Sequence, residues 1–184
     1  MTKLSAMTTT TYEIDPAHTH IGFSVRHMMV TQQRGQFHDV TGSLVLDRAQ
    51  PANSRIEARI AVASVDTHNA QRDDHLRGAD FFDATSHPAI TFVSRAIEVL
   101  PTGRLSVTGD LSIRGETRSV ILDADPVSDE SRDPFGMIKV GSSATTKISR
   151  KDFGLVWNAV LETGGVAVGD AVKIDLDLQF QRTP

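Results

Sequence analysis

The sequence predicts an all-β domain, an antiparallel barrel with one short helical cap. Three observations lead there. Apolar and polar residues alternate with period two over much of the chain, and turns bearing Gly or Pro separate the alternating runs. A single polar stretch, Thr67–Pro88, breaks the alternation and carries helix punctuation instead. In the C-terminal run, Val172, Ile174, Leu176, Leu178 and Phe180 alternate with Lys173, Asp175, Asp177, Gln179 and Gln181. One face is apolar and the other solvated, as a half-buried antiparallel strand requires.

Taken in order, residues 1–10 show no structural pattern and are expected to form a disordered segment before one domain spanning 11–184. Residues 17–29 of "DPAHTHIGFSVRHMM" read as a strand, with Ile21, Phe23, Val25, His27 and Met29 on one face and His18 and His20 on the other. Leu44 and Leu46 mark the next strand, and Ile56, Ala58, Ile60 and Val62 the one after it. Within Thr67–Pro88, Asn69 is an N-cap, Asp73 and Arg77 an i,i+4 pair, and Gly78 a stop. Pro88 restarts extended chain.

Ile90 and Phe92 then open a strand, and Leu105, Val107, Leu111 and Ile113 another, with "LPTGR" between them. "RGETR", Arg114–Arg118, reads as a tight hairpin into Val120 and Leu122. A polar loop, Ser128–Gly136, leads to Ile138 and Val140. An irregular stretch, Arg150–Asp170, holds the one tryptophan, Trp157. Several of these strands reach about 10 to 13 residues, beyond the usual five or six. Long one-sided strands joined by short turns are best closed into a barrel, which also removes exposed edges.

Composition bounds the function. Hydrophobic residues at 39% and charged residues at 23% are ordinary for a soluble globular chain. A net charge of −4, with no basic run longer than Arg150–Lys151, argues against nucleic acid as a partner. The absence of cysteine removes disulfides, thiolate metal sites and Cys nucleophiles. No stretch approaches the roughly 18 apolar residues of a membrane span, and no signal-peptide pattern opens the chain. The expectation is a soluble, cytoplasmic protein.

Chemical signals are sparse. His18, His20 and His27 lie close in sequence, yet strand alternation puts His27 on the opposite face, so no three-His metal site is expected. His20 reads as a surface residue and His27 as a polar point on an apolar wall. G-x-S-x-G, H-E-x-x-H, Walker and Rossmann patterns are all missing. "RDDHLRGADFFD" places carboxylates beside His75, which a solvated capping helix explains as well as acid–base chemistry does. Eight of the ten aromatic residues are Phe, and Phe81 and Phe82 sit side by side in the cap. They either plug the barrel end or line the mouth of an apolar cavity.

Six segments in order resemble the YceI family of lipocalin-like bacterial proteins. They are "YEIDPAHTHIGFSVRHM", "FHDVTGSLVLD", "VDTHNAQRDDHLRGADFFDATSHPAITF", "GDLSIRGETRSVIL", "ISRKDFGLVWN" and "VGDAVKIDLDL". The resemblance implies an elongated lipocalin-like barrel of about eight strands whose apolar tunnel binds a long polyisoprenoid lipid, such as an isoprenoid quinone or a polyprenyl phosphate. A homodimer is compatible with it. Thr19 stands where the family usually has Ser, and the missing signal peptide contrasts with its periplasmic members.

The function so implied is non-catalytic binding, transport or storage of the lipid, with no cofactor and no metal. Ile21, Phe23, Val25, His27 and Met29 would line the tunnel with Phe92 and Phe180. Phe81, Phe82 and Trp157 would close or gate its ends, and Arg72, Asp74 and His75 would meet a polar head. The alternatives are an enzyme acting on a small apolar substrate, with His27 or His75 as general base, and a stress-related interaction protein whose barrel is filled.

Overall fold

The computed structural model describes residues 9–183. Residues 1–8 of the segment expected to be disordered lie outside the described residues, and Thr9 and Thr10 already belong to the first strand. The chain order is β1 (Thr9–Ile14), β2 (His20–His27), β3 (Thr31–Phe37), β4 (Val40–Asp47), β5 (Arg55–Ala61), β6 (Val65–Asp66), α1 (Ala70–Arg77) and β7 (Ala89–Val99). It continues with β8 (Leu105–Ile113), β9 (Glu116–Ala124), β10 (Ser131–Arg132), β11 (Ile138–Ser149) and β12 (Val168–Arg182).

All neighbouring pairs are antiparallel, and the strands form a closed barrel of eight staves. Three staves are single strands broken once: β1 with β2 at Pro16–His18, β3 with β4 at His38–Asp39, and β5 with β6 at Val62–Ser64. The other five are β7, β8, β9, β11 and β12. Closure comes from β11, which pairs with β9 on one side and β12 on the other. The ring therefore leaves little edge exposed, as the long one-sided strands require.

Polar side chains stabilise the breaks, where ladder bonds lapse. Ser64 Oγ donates to Ala61 O (2.7 Å) and accepts from the backbone of His38 (3.2 Å) and Asp39 (3.0 Å). At the β1–β2 break, buried Asp15 accepts hydrogen bonds from Lys139 Nζ (2.8 Å), Gln179 Nε2 (3.1 Å) and the Ala17 backbone (3.2 Å), and pairs with His18 Nδ1 (2.9 Å).

The barrel has two unlike ends. One, the cap end, carries the turn at Met28–Val30, the segment 67–88 with α1, the Arg114–Gly115 turn and the loop 150–167. The other, the base, carries the connections at 48–54, 100–104 and 125–137. Asn69 caps α1, its side chain accepting from Arg72 N at 2.9 Å. Gly78 ends the helix in extended backbone, φ −72°. The expected Asp73–Arg77 pair does not form. Asp73 is buried and accepts from the Thr67 backbone (2.9 Å) and hydroxyl (2.6 Å), while Arg77 turns to Asp74 at 3.0 Å and to the carbonyls of Ala63 and Val65. Docking the helix on the barrel takes Asp73 inward, out of Arg77's reach.

Candidate functional site

The barrel interior is apolar on every stave but unevenly filled. At the base, Tyr12, Val140 and Phe180 are 1%, 2% and 1% exposed, with Leu44, Leu46, Val107 and Ala124 buried around them. Toward the cap end, the wall of β2 and β12 pairs Ile21 with Leu176, Phe23 with Ile174 and Val25 with Val172. These inward side chains keep part of their surface accessible, apart from buried Ile21, and so do Val120, Leu122, Ile148 and Leu178. In a closed barrel such surface borders a lumen.

Glycine shapes that lumen at two places. Gly35 lies opposite Phe23, where a Cβ would come 2.5 Å from the Phe23 ring, so its absence lets the ring lie across β3. Gly109 does the same beneath the Phe92 ring. A cavity of about 590 Å³ lies across β1, β4, β5 and β7, floored by inward Ile14, Val40, Ala58 and Phe92 and rimmed by outward Glu13, Glu57 and Arg59.

Aromatic side chains gather at the cap end. His75, Phe81 and Trp157 form a triangle with ring centroids 4.9–5.4 Å apart. Phe82 packs on Phe37 at 5.8 Å, and Phe37 on Phe23 at 5.6 Å, so a continuous aromatic path leads from the cap into the lumen. Two arginines hold the cap loops. Arg114 donates to Phe81 O (2.8 Å) and Gly154 O (3.3 Å). Arg150, 5% exposed, donates to the carbonyls of Leu155, Trp157, Val168 and Gly169 at 2.6–3.2 Å. Burial holds the Arg150 guanidinium below the usual arginine range, against the opposing field of Asp170. In sequence it is one half of the Arg150–Lys151 pair; its ties to carbonyls around Trp157 are visible only in the fold.

The remaining candidates separate. His75 is one corner of the aromatic triangle and bonds Asp80 at 2.9 Å. Arg72 is spent on Thr67, donating to its hydroxyl and carbonyl at 2.7 Å each, and Asp74 is exposed beside Arg77. The two therefore brace the helix. His27 is the last residue of β2, exposed at the mouth. Met29 corrects the sequence reading. The strand stops at His27, and Met29 is 60% exposed in the following turn with φ 58°, so it does not line the wall. Phe180 is inward but belongs to the packed base. His20 lies on the outer face, 3.3 Å from Asp175 and 3.1 Å from Gln36 Oε1, beside a pocket of about 190 Å³. Among the described residues no group of three or more His, Cys, Asp or Glu is placed to hold a metal ion, and no helix is long and apolar enough to cross a membrane.

Comparison with known proteins places this geometry. Residues 12–180 match the model of the YceI-like domain. A UPF0312 protein of Photorhabdus laumondii subsp. laumondii is 39% identical over 145 residues, covering 77% of this chain and 74% of that one. The crystal structure of Burkholderia cenocepacia BcnA superposes with a TM-score of 0.78 at 26% identity, covering 90% of this chain and 98% of that one. A polyisoprenoid binding domain from Saccharophagus degradans, implicated in plant cell wall breakdown, shares the fold with a TM-score of 0.66 at 15% identity, over 94% and 98% of the two chains.

Proposed function

The chain belongs to the YceI-like domain family, and from that premise we propose that it is a non-catalytic carrier or store for a long isoprenoid lipid held in the barrel lumen. The observation that carries this reading is the incompletely filled apolar wall: inward Phe23, Val25, Val172, Ile174 and Leu176 stay partly accessible inside a closed barrel. The 15 residues of β12 extend over about 50 Å at strand spacing, enough to run beside a long tail. Each CH₂ buried contributes about 0.8 kcal/mol, so a polyprenyl chain binds tightly without any chemistry. The fold shared with a polyisoprenoid binding domain supports the same ligand class. A quinone or phosphate head group would rest at the cap, where His75 and Trp157 offer the polar edges of an otherwise apolar cluster.

Organic extraction of the purified protein, followed by mass spectrometry, tests the proposal, together with uptake of a polyprenol by delipidated protein. Ile174→Arg, which puts a charge on the lumen wall, should abolish uptake while the far-ultraviolet circular dichroism stays that of a β-barrel. A protein that carries no isoprenoid and takes up none refutes the carrier reading.

A further inference from the structure

Scattered cations meet on one outer face of the barrel. Antiparallel register places Lys147 on β11 directly opposite Lys173 on β12, Lys173 opposite Ser24 on β2, and Ser24 opposite Arg34 on β3. Arg26 follows one strand repeat nearer the cap end, and Lys151 lies in the turn just after β11. All five cations are exposed. Among the described residues none of the five has an ion-pair partner, a state shared by exposed Arg55, Arg59 and Arg132 elsewhere; what sets the five apart is that they lie side by side. Two carboxylates border the row: Asp175 pairs with His20, and Asp170 accepts from the Ser149 hydroxyl and the Lys151 backbone without pairing with a row side chain. Lys147 against Lys173 is a like-charge cross-strand pair, which costs stability where nothing anionic lies over it.

Beside this row stands an apolar tip. The turn from β2 to β3 exposes Met28 (44%), Met29 (60%) and Val30 (74%). The loop 150–167 adds exposed Val160 and Val166, which bridge each other, and it braces the tip through a hydrogen bond from Met28 N to Ala167 O at 2.8 Å. Met28 and Met29 both have positive φ, 52° and 58°, and Val30 N donates to His27 O. Such a turn favours Asn-Gly, and a methionine in left-handed backbone is strained. Strained backbone that displays two flexible apolar side chains to water is poor design for a free surface.

We propose that this tip and the cationic row form one docking edge for an anionic lipid bilayer. Spacing supports a single surface. Ser24 stands four residues before Met28, so the row lies about 13 Å above the tip. An apolar segment seated about 5–10 Å into the headgroup and acyl boundary would bring the row to the phosphates. The edge also lies at the cap end, where the aromatic path enters the lumen, so docking would set the mouth against the source of the lipid. That purpose rests on the carrier reading; the edge itself rests on the residues just named.

The test is co-sedimentation of the full chain with vesicles of phosphatidylcholine alone and of phosphatidylcholine mixed with phosphatidylglycerol. Wild type should bind the mixed vesicles, less so as salt rises. Combining Lys147→Gln, Lys173→Gln and Arg34→Gln should weaken that binding about a hundredfold, since each cation near a charged membrane contributes about one tenfold step or slightly less. Met28→Asn with Met29→Gly, which suits the turn and so keeps the fold, should weaken it about tenfold. The proposal is overturned if wild type ignores anionic vesicles, binds both vesicle types alike, or is unaffected by the triple substitution. It is also overturned if heparin binds through the row while vesicles do not, which would assign the row to soluble polyanions. A protein that takes up polyprenol yet ignores vesicles loses only the docking edge; one that docks yet takes up nothing loses only the carrier function.

Discussion

The base and the cap-end wall of this barrel use the same period-two alternation and end up as different materials. At the base, Tyr12 and Phe180 project from neighbouring strands and, with Val140, leave almost nothing accessible. On β2 and β12 nearer the cap, the inward positions are Phe23, Val25, Val172, Ile174 and Leu176, and each keeps a minor part of its surface accessible. An eight-stranded barrel has a cross-section set by strand number and tilt, just wide enough for side chains to fill. At the base two large rings, Tyr12 and Phe180, help fill that section with smaller Val140, Val107 and Ala124 packed around them. On the β2–β12 wall Phe23 is the one ring among valine, isoleucine and leucine, and the section is left less filled.

The sharpest way to break that comparison is a pair of truncations. Phe180→Ala removes a ring that is 1% exposed and should cost about 3–5 kcal/mol in urea unfolding, transfer and cavity terms together. Phe23→Ala removes a ring already partly accessible and should cost about 1–2 kcal/mol. Equal losses would mean that the two regions are packed alike. Next in size is Arg150→Met. It removes a donor from four carbonyls around the cap loop, of which Val168 O keeps the Asn158 amide, and should cost about 2–4 kcal/mol, with faster amide exchange in residues 155–169 and little change at the base. Arg150→Lys should recover only part of this, because an ammonium cannot reproduce the guanidinium fork.

Asp15 sits at the β1–β2 break, where the two regions meet. Burial pushes its carboxyl up, but hydrogen bonds from Lys139, His18 and Gln179 outweigh this and lower it from 3.8 to about 2. A lowered folded value means that the unfolded chain binds the proton more readily. The stabilisation is therefore complete above 3.8 and is lost as pH falls toward about 2. Asp15→Asn should cost about 2 kcal/mol at neutral pH and flatten the acid limb of a stability–pH curve. An unchanged acid limb would show that other carboxylates govern acid unfolding.

Alternation made β5, β8 and β12 legible, and Asn69 with Gly78 marked the helix, because those signals are local. The stave breaks at Pro16–His18, His38–Asp39 and Val62–Ser64 interrupt strands whose hydrophobic pattern runs on, so periodicity could not show all of them. The sequence places Met29 on the wall for a related reason. "HMMVT" contains no Gly, Asn or Asp to signal a turn, and the stripe from Ile21 extrapolated past the strand's end. Arg150 and the cationic row were illegible on different grounds. One depends on which carbonyls a folded loop presents, and the other on cross-strand register between residues more than a hundred positions apart.

The smallest expected effect is the most diagnostic of the cap-end mouth. If the β2–β3 turn holds methionine only for want of a better residue, Met28→Asn with Met29→Gly simply repairs it. Both positions are left-handed, φ 52° and 58°, and relieving them should raise stability by about 1 kcal/mol. Burial offers little compensating loss, since both side chains are exposed, although the Met29 sulfur lies close against Gly165 across the tip. The variant should therefore melt higher by a few degrees, about 2–4 °C for a chain of this size, while the base is unchanged. A more stable variant with weaker vesicle binding would show the two methionines held against the turn's own preference, at a cost the folded barrel does not recover by itself. A less stable variant would mean that they pack on the 150–167 loop more than their exposure suggests.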